Sequence, residues 1–127
     1  MSNTVFVYGS LKRGFRNHHV MDGTTFLMDG TTQPAFTMID LGPYPAVIRG
    51  GDVVTGEVYA VPAECMGSLD ALEDNGKVYR REVVPITTPH GTVDAWIYVY
   101  LLDPAPHPAV PSHDGAACWR EAKRGVS

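Results

Sequence analysis

Short apolar runs separated by glycine- and proline-containing turns dominate the hydrophobic pattern of this chain. The opening run, Thr4–Tyr8, is rich in β-branched and aromatic residues and stops at Gly9-Ser10, which predicts a buried strand followed by a turn. Gly56 lies inside the later apolar run Val53–Val61 and indicates a bulge or a close contact there. The further predicted strands are Thr24–Met28, Pro34–Leu41, Ala46–Ile48, Val53–Val61, Tyr79–Thr87 and Thr92–Leu101, the last of them central in a sheet because both of its faces are apolar or aromatic.

One main helix is predicted between two of these strands. Pro62 suits its first turn, where a missing N–H is no loss, and the helical pattern runs to about Asp74. Apolar residues share one face at spacings of three and four, namely Cys65, Met66, Leu69 and Leu72. A single main helix among short strands, without regular βαβ alternation, favours an α+β fold whose small mixed sheet curls into a barrel.

Local signals predict one short helix and several turns. Asn17–Asp22 is predicted to be a short helix that ends at Gly23 in the left-handed conformation. Asp29-Gly30 is predicted to be a turn, and Pro89-His90-Gly91 the turn of a hairpin. Pro85 lies inside a predicted strand, which indicates an edge position or a bulge, because proline cannot donate to a strand ladder.

Size and composition indicate a single domain over residues 1–127 with a Pro-rich tail from about residue 103, and Asp103–Ser112 is predicted to be irregular. The net charge of −4 makes the chain a poor partner for nucleic acid. No apolar run approaches the length of a membrane span. The first residues carry no basic, apolar leader, so we expect a cytoplasmic protein, and a monomer is the default expectation.

Cysteine, histidine and serine give weak chemical signals. Cys65 and Cys118 are interpreted as reduced packing residues, although the sequence leaves a disulfide between them open. His18-His19 face apart on a helix, and no H-E-x-x-H or C-x-x-C pattern occurs, so no metal is expected. Ser10 lacks the G-x-S-x-G surroundings of a nucleophile, which favours a turn residue.

Glu73 is the most informative acid of the sequence. It lies near the predicted end of the main helix, three residues after Asp70 on the same surface. The helix dipole disfavours a carboxylate at that end, which raises its pKa and suits a general base. From these residues alone, a solvated surface acid near Lys77 or Arg80 is the favoured alternative.

Several segments together resemble the γ-glutamylcyclotransferase-like family, most closely its γ-glutamylamine cyclotransferase branch. They occur in the family's order and reach to about residue 101: Val5–Gly14 with Asn17-His18, Pro43–Val47, Gly56–Tyr59, Leu69–Glu73 and Tyr79–Arg81. The Pro-rich tail matches poorly, except that Trp119–Glu121 is similar to a C-terminal stretch of bacterial members. The resemblance implies a small barrel-like α+β fold with a cavity between the loop Tyr8–Leu11 and the acid of the helix.

The resemblance also implies an enzyme that needs no cofactor and releases a γ-glutamyl group as 5-oxoproline from a γ-glutamyl amine or peptide. Glu73 would be its general acid and base, and backbone groups of Gly9, Ser10 and Leu11 would hold the glutamyl moiety. Asn17 and His18 are expected to brace the loop. The substrate-binding residues implied are Tyr8, Gly9, Ser10 and Leu11, with Tyr44, Tyr79 and Tyr100 as candidates for lining the pocket.

Two other interpretations stay open. One is a non-catalytic binding module for a γ-glutamyl-like metabolite or a protein partner, suggested by the small size and the divergent tail. The other is a lyase that trims a γ-glutamyl protecting group in a biosynthetic pathway, with the same chemistry and a different leaving amine.

Overall fold

The computed structural model describes residues 2–9, 11–12, 18–42, 44–72, 76–113 and 116–119. Within these ranges the chain forms one α-helix, α1 (Ala63–Leu72), and a short 3₁₀ helix at His18–Met21. The strands are β1 (Ser2–Val7), β2 (Thr25–Thr32), β3 (Phe36–Asp40), β4 (Pro45–Arg49), β5 (Val53–Pro62), β6 (Tyr79–Thr88), β7 (Gly91–Tyr100), β8 (Ser112–His113) and β9 (Ala116–Ala117).

Five of the strands close into a ring. β1 pairs antiparallel with β5 on one side, and on the other it meets β7 in parallel, with Val5 opposite Trp96. The ring continues from β7 to β6, from β6 to β2 and from β2 back to β5. The separate pair β3–β4 forms a second, two-stranded sheet. These pairings confirm the predicted α+β fold with a mixed sheet, and they confirm that β7 is central.

Two apolar clusters lie on the opposite faces of the ring strands. β1 contributes Phe6 to one cluster, which the following Tyr8 also joins, and Val5 and Val7 to the other, because successive side chains of a strand point to opposite faces. The helix α1 packs on the second cluster through the predicted apolar face, with Met66 and Leu69 buried. Burying each of these side chains stabilises the fold by about 1.5–3 kcal/mol. The helix is therefore held against β1, β5 and β7.

The predicted turn at Asp29-Gly30 is wrong, since both residues lie inside β2. Gly30 pairs with Gly56 across the strands. A Cβ at Gly30 would lie 2.6 Å from Cγ2 of Ile86. The glycine is thus required by close packing rather than by a turn.

Other local predictions are confirmed. The short helix over His18–Met21 is followed by Gly23 with a φ of 87°, in the left-handed region. The hairpin between β6 and β7 turns at Gly91, whose φ is 114°. β6 pairs with β2 through Ile86 and Thr87, and the exposed Pro85 lies immediately beyond this pairing, as an edge position requires.

The Pro-rich segment after β7 returns to the body of the protein. The amide of Asp40 donates to the carbonyl of Pro108 at 2.8 Å, and the amide of Val110 donates to the carbonyl of Met38 at 2.8 Å. Farther on, β9 adds to β5 in parallel and β8 pairs with β9. The segment predicted to be irregular, Asp103–Ser112, has no strand before its last residue, and the described residues that follow extend the main sheet.

Both cysteines, Cys65 and Cys118, are free thiols, as the packing interpretation predicts.

In the part of the chain that the structure describes, no helix is long and apolar enough to cross a membrane.

Candidate functional site

The loop after β1 is built closely against Pro45. A Cβ at Gly9 would lie 2.7 Å from Cγ and 2.8 Å from Cδ of that proline, so no larger residue fits without movement. Tyr8, the residue before Gly9, is buried, and its hydroxyl donates to the carbonyl of Tyr98 at 2.8 Å. Leu11 is buried in the second cluster. The loop is therefore fixed by packing on both sides of Gly9.

A β-turn and a histidine shape the same loop. The amide of Lys12 donates to the carbonyl of Gly9 at 3.0 Å, and this hydrogen bond closes a β-turn. His18 Nδ1 lies 2.9 Å from the carbonyl oxygen of Leu11, which only accepts, so Nδ1 carries the proton and donates. This contact agrees with the predicted bracing role of His18. Ser10 and Asn17 lie outside the described residues.

Lys12 joins the loop to the C-terminal segment. Its side chain is 6% exposed, and Nζ donates to the carbonyl of Trp119 at 3.0 Å and lies 3.6 Å from Sγ of Cys118. Trp119 itself is buried in the first cluster. The C-terminal segment thus packs directly beside the loop.

The end of α1 carries a polar network. Asp70 Oδ1 accepts a hydrogen bond from the hydroxyl of Tyr98 at 2.7 Å and lies 3.2 Å from Nε of Arg81. The Arg81 guanidinium in turn lies over the ring of Trp96, 4.5 Å from its centroid. Asp70 is therefore an acceptor in an ion pair and not a solvated acid. Glu73, the predicted catalytic acid, lies outside the described residues.

The candidate pocket tyrosines differ in burial. Tyr79 is buried, and its ring packs edge-on against Tyr100 at a centroid distance of 5.5 Å. Tyr100 meets His107 in the same manner at 6.2 Å. The Tyr79 hydroxyl lies 3.5 Å from the carbonyl of Pro45, the residue that abuts the loop. Tyr44, next to that proline, is 43% exposed. An aromatic row thus runs from the proline to the Pro-rich segment.

A buried carboxylate on β5 was missed as a site candidate. Glu57 is 8% exposed, lies opposite Val7 of β1, and accepts a hydrogen bond from the hydroxyl of Tyr59 at 2.9 Å. Fully buried acids are uncommon unless they are paired. The sequence did contain a signal for this pair: Glu57 and Tyr59 are two positions apart in a predicted strand, so they lie on the same face of it.

Metal ligands are not clustered in the ranges that the structure describes: no group of three or more histidine, cysteine, aspartate or glutamate side chains there could hold an ion.

Tyr98 was also missed as a site candidate, although its alternation with Tyr100 along β7 puts both on one face. The described contacts link the residues around the loop to the last turns of α1 through Tyr98, whose carbonyl accepts from Tyr8 and whose hydroxyl donates to Asp70.

Comparison with known proteins assigns this arrangement to a family. The family model described as γ-glutamyl cyclotransferase, AIG2-like, matches residues 5–121. A putative γ-glutamylcyclotransferase of Vibrio cholerae is 40% identical over 114 residues, covering 90% of this chain and 96% of the relative. The γ-glutamylcyclotransferase family protein YtfP of Escherichia coli is 38% identical over 96 residues, covering 76% of this chain and 80% of the relative.

Solved structures give the same picture. The crystal structure of an AIG2-like protein from Mus musculus superposes with a TM-score of 0.77 at 28% identity, covering 97% of this chain and 99% of that one. The solution structure of YtfP from Escherichia coli has a TM-score of 0.66 at 35% identity, covering 89% of this chain and 94% of that one.

Proposed function

The chain belongs to the γ-glutamyl cyclotransferase, AIG2-like family, and on this premise we propose that it is an enzyme that releases 5-oxoproline and a free amine from a γ-glutamyl amine or γ-glutamyl peptide. In this reaction the substrate's own α-amino nitrogen bonds to its γ-carbonyl carbon. The bond from that carbon to the leaving nitrogen breaks. The attacking α-ammonium loses two protons to become the N–H of the lactam, and the leaving nitrogen gains two and departs as an ammonium ion, so atoms and charges balance without a second reactant.

The observation that carries the proposal is the connection of the loop to the end of α1 through Tyr98. The Tyr98 carbonyl accepts from Tyr8 at 2.8 Å, and its hydroxyl donates to Asp70 at 2.7 Å. Leu11 and Leu69 also share the second apolar cluster. Glu73 follows Asp70 by three residues in the sequence. These contacts support the assignment of the loop and of Glu73 to one site.

Each part has a proposed role. Backbone amides of Gly9, Ser10 and Leu11 hold the carboxylate or the carbonyl of the glutamyl group, and glycine is needed because Pro45 occupies the space of a side chain. Tyr8 supports the loop. Tyr44, Tyr79 and Tyr100 face the leaving amine, with the exposed Tyr44 nearest the solvent.

Glu73 is proposed as the group that moves the proton. It takes a proton from the α-ammonium before ring closure and returns one to the leaving amine. General acid–base catalysis by a positioned carboxylate contributes about 10²–10⁴-fold to a rate. The nucleophile is already tethered to its target, so the remaining acceleration comes from holding one folded conformer of the substrate.

A substrate panel tests the proposal. Purified protein is incubated with γ-glutamyl amines and γ-glutamyl dipeptides, and 5-oxoproline is quantified by chromatography. We expect turnover of at least one member, and none of the same compound with an acetylated α-amino group, because the nucleophile is then blocked. Stabilisation of the protein by these compounds without turnover would support the binding module and refute the enzyme. Turnover of a biosynthetic intermediate that carries a γ-glutamyl protecting group would support the lyase.

A further inference from the structure

We propose that Asp70 and Tyr98 are positioning residues for the cyclotransfer reaction, which hold the end of α1 in fixed register with the loop after β1. The inference rests on the proposed function, and it concerns residues that neither the sequence pattern nor the family match assigns to the site.

Asp70 attaches the helix end through two polar contacts. One carboxylate oxygen accepts both the Tyr98 hydroxyl at 2.7 Å and Nε of Arg81 at 3.2 Å. The side chains of Asp70 and Arg81 are 26% and 27% exposed, so water screens the pair only in part. Hydrogen bonds to an ionised acceptor are about twice as strong as neutral ones. The last turns of α1 are thereby tied to β6 and β7.

Tyr98 bonds to both parts of the proposed site. Its ring is buried in the second cluster, its hydroxyl reaches the helix and its backbone carbonyl receives the hydroxyl of Tyr8. β7, which carries it, is paired with β1 on one side and β6 on the other. A strand held on both sides is a rigid reference, so a shift of the helix end relative to the loop stretches a hydrogen bond of this residue.

Within the described residues, the last turn of α1 has a polar attachment to the sheet at Asp70. The apolar anchors Met66 and Leu69 fix the body of α1, and the last turn of its described range carries no basic side chain to satisfy the terminal carbonyls. Helix ends open first in local unfolding. Asp70 supplies a polar attachment for the last turn of α1, three residues before Glu73 in the sequence.

Two variants and one control test the inference. Tyr98→Phe removes the hydroxyl and keeps the ring, and Asp70→Asn removes the charge and keeps an acceptor oxygen. Glu64→Gln is the matched control, since Glu64 is an exposed acid in the first turn of the same helix. The measurements are kcat, KM and the affinity for 5-oxoproline, at a temperature well below the melting point of every variant.

We expect kcat to fall by about 10–100-fold in Tyr98→Phe and in Asp70→Asn, because a misplacement of about 1 Å at a catalytic group costs on the order of 10²-fold. KM and the affinity for 5-oxoproline stay within about twofold of wild type, since the loop that binds the glutamyl group is unchanged. The kcat of the double variant is no lower than that of the less active single variant, because both changes break the same network. The kcat of Glu64→Gln matches that of wild type.

The outcomes separate the inference from the proposed function. If wild type turns over substrate and the folded variants keep its kcat while melting at lower temperature, the network is only structural and the inference is wrong. If wild type turns over no γ-glutamyl compound, the proposed function fails and the inference fails with it. If Asp70→Asn does not fold, Tyr98→Phe, which lacks a single oxygen, decides the question alone.

Discussion

Replacing Gly9 with alanine tests how closely the loop after β1 is built against Pro45. The added Cβ would lie 2.7 Å and 2.8 Å from two ring carbons, whereas ordinary contacts of this kind begin at 3.4 Å. The loop or the ring must therefore move, by about 0.7 Å if an ordinary contact is to be restored. A proline ring cannot rotate away, and the loop is closed by the Lys12–Gly9 hydrogen bond, so neither side yields easily.

The cost follows from these two rigid partners. Overpacking of a well-packed site destabilises a protein by about 1–3 kcal/mol. A loop displaced by most of an ångström also moves the donors proposed to hold the glutamyl group, and such displacements reduce rates by on the order of 10²-fold. We therefore expect Gly9→Ala to lower kcat/KM for 5-oxoproline release by about 10–100-fold and to lower the unfolding free energy.

Two companion variants make the test specific. Gly67→Ala adds the same atom in α1, where nothing lies within 4 Å, and it should keep full activity and gain about 1 kcal/mol of helix stability. Pro45→Ala removes both clashing carbons, so the double variant Gly9→Ala/Pro45→Ala should regain much of the loss that the single Gly9 variant shows. Full activity and stability of Gly9→Ala, or no recovery in the double variant, would refute this account of the loop.

Three further substitutions address the packing around the site, each measured by urea unfolding. Trp119→Ala should cost about 3–5 kcal/mol, because this 7% exposed ring fills the first cluster; a loss below about 1 kcal/mol would mean that the C-terminal segment is not part of the core. Lys12→Met should cost about 1–3 kcal/mol by removing the bond to the Trp119 carbonyl, and an unchanged midpoint would contradict that bond. Gly56→Ala should prevent stable folding, since its Cβ would overlap the Val7 carbonyl and lie 2.6 Å from the Phe6 ring; a soluble variant with the wild-type midpoint would disprove this.

Most of the ring was predictable from the sequence because its strands are short, apolar and separated by turn residues. Thr92–Leu101 was predicted to be central from two apolar faces, and β7 lies between β1 and β6. Gly56 was predicted as a bulge or a close contact, and the backbone of β1 does approach it closely. Local pattern carries this information, since period-two alternation reports burial on each face.

The parts that failed depend on contacts distant in sequence. Asp29-Gly30 has the composition of a turn, but the place of Gly30 is set by Ile86 on another strand. The link from Tyr8 to Tyr98 joins residues 90 positions apart, and that from Lys12 to Trp119 joins residues 107 apart. Spacing along the chain cannot show such pairs, because only the closed ring brings them together.

The most direct test of the central claim is the rate of 5-oxoproline release by Glu73→Gln compared with wild type, on one γ-glutamyl amine that wild type turns over. Glutamine keeps the shape and removes the proton acceptor, so we predict a loss of kcat of about 10²–10⁴-fold with the affinity for 5-oxoproline nearly unchanged. Glu64→Gln, on the first turn of α1, should match wild type. A Glu73→Gln enzyme that keeps the wild-type kcat would contradict the proposed mechanism.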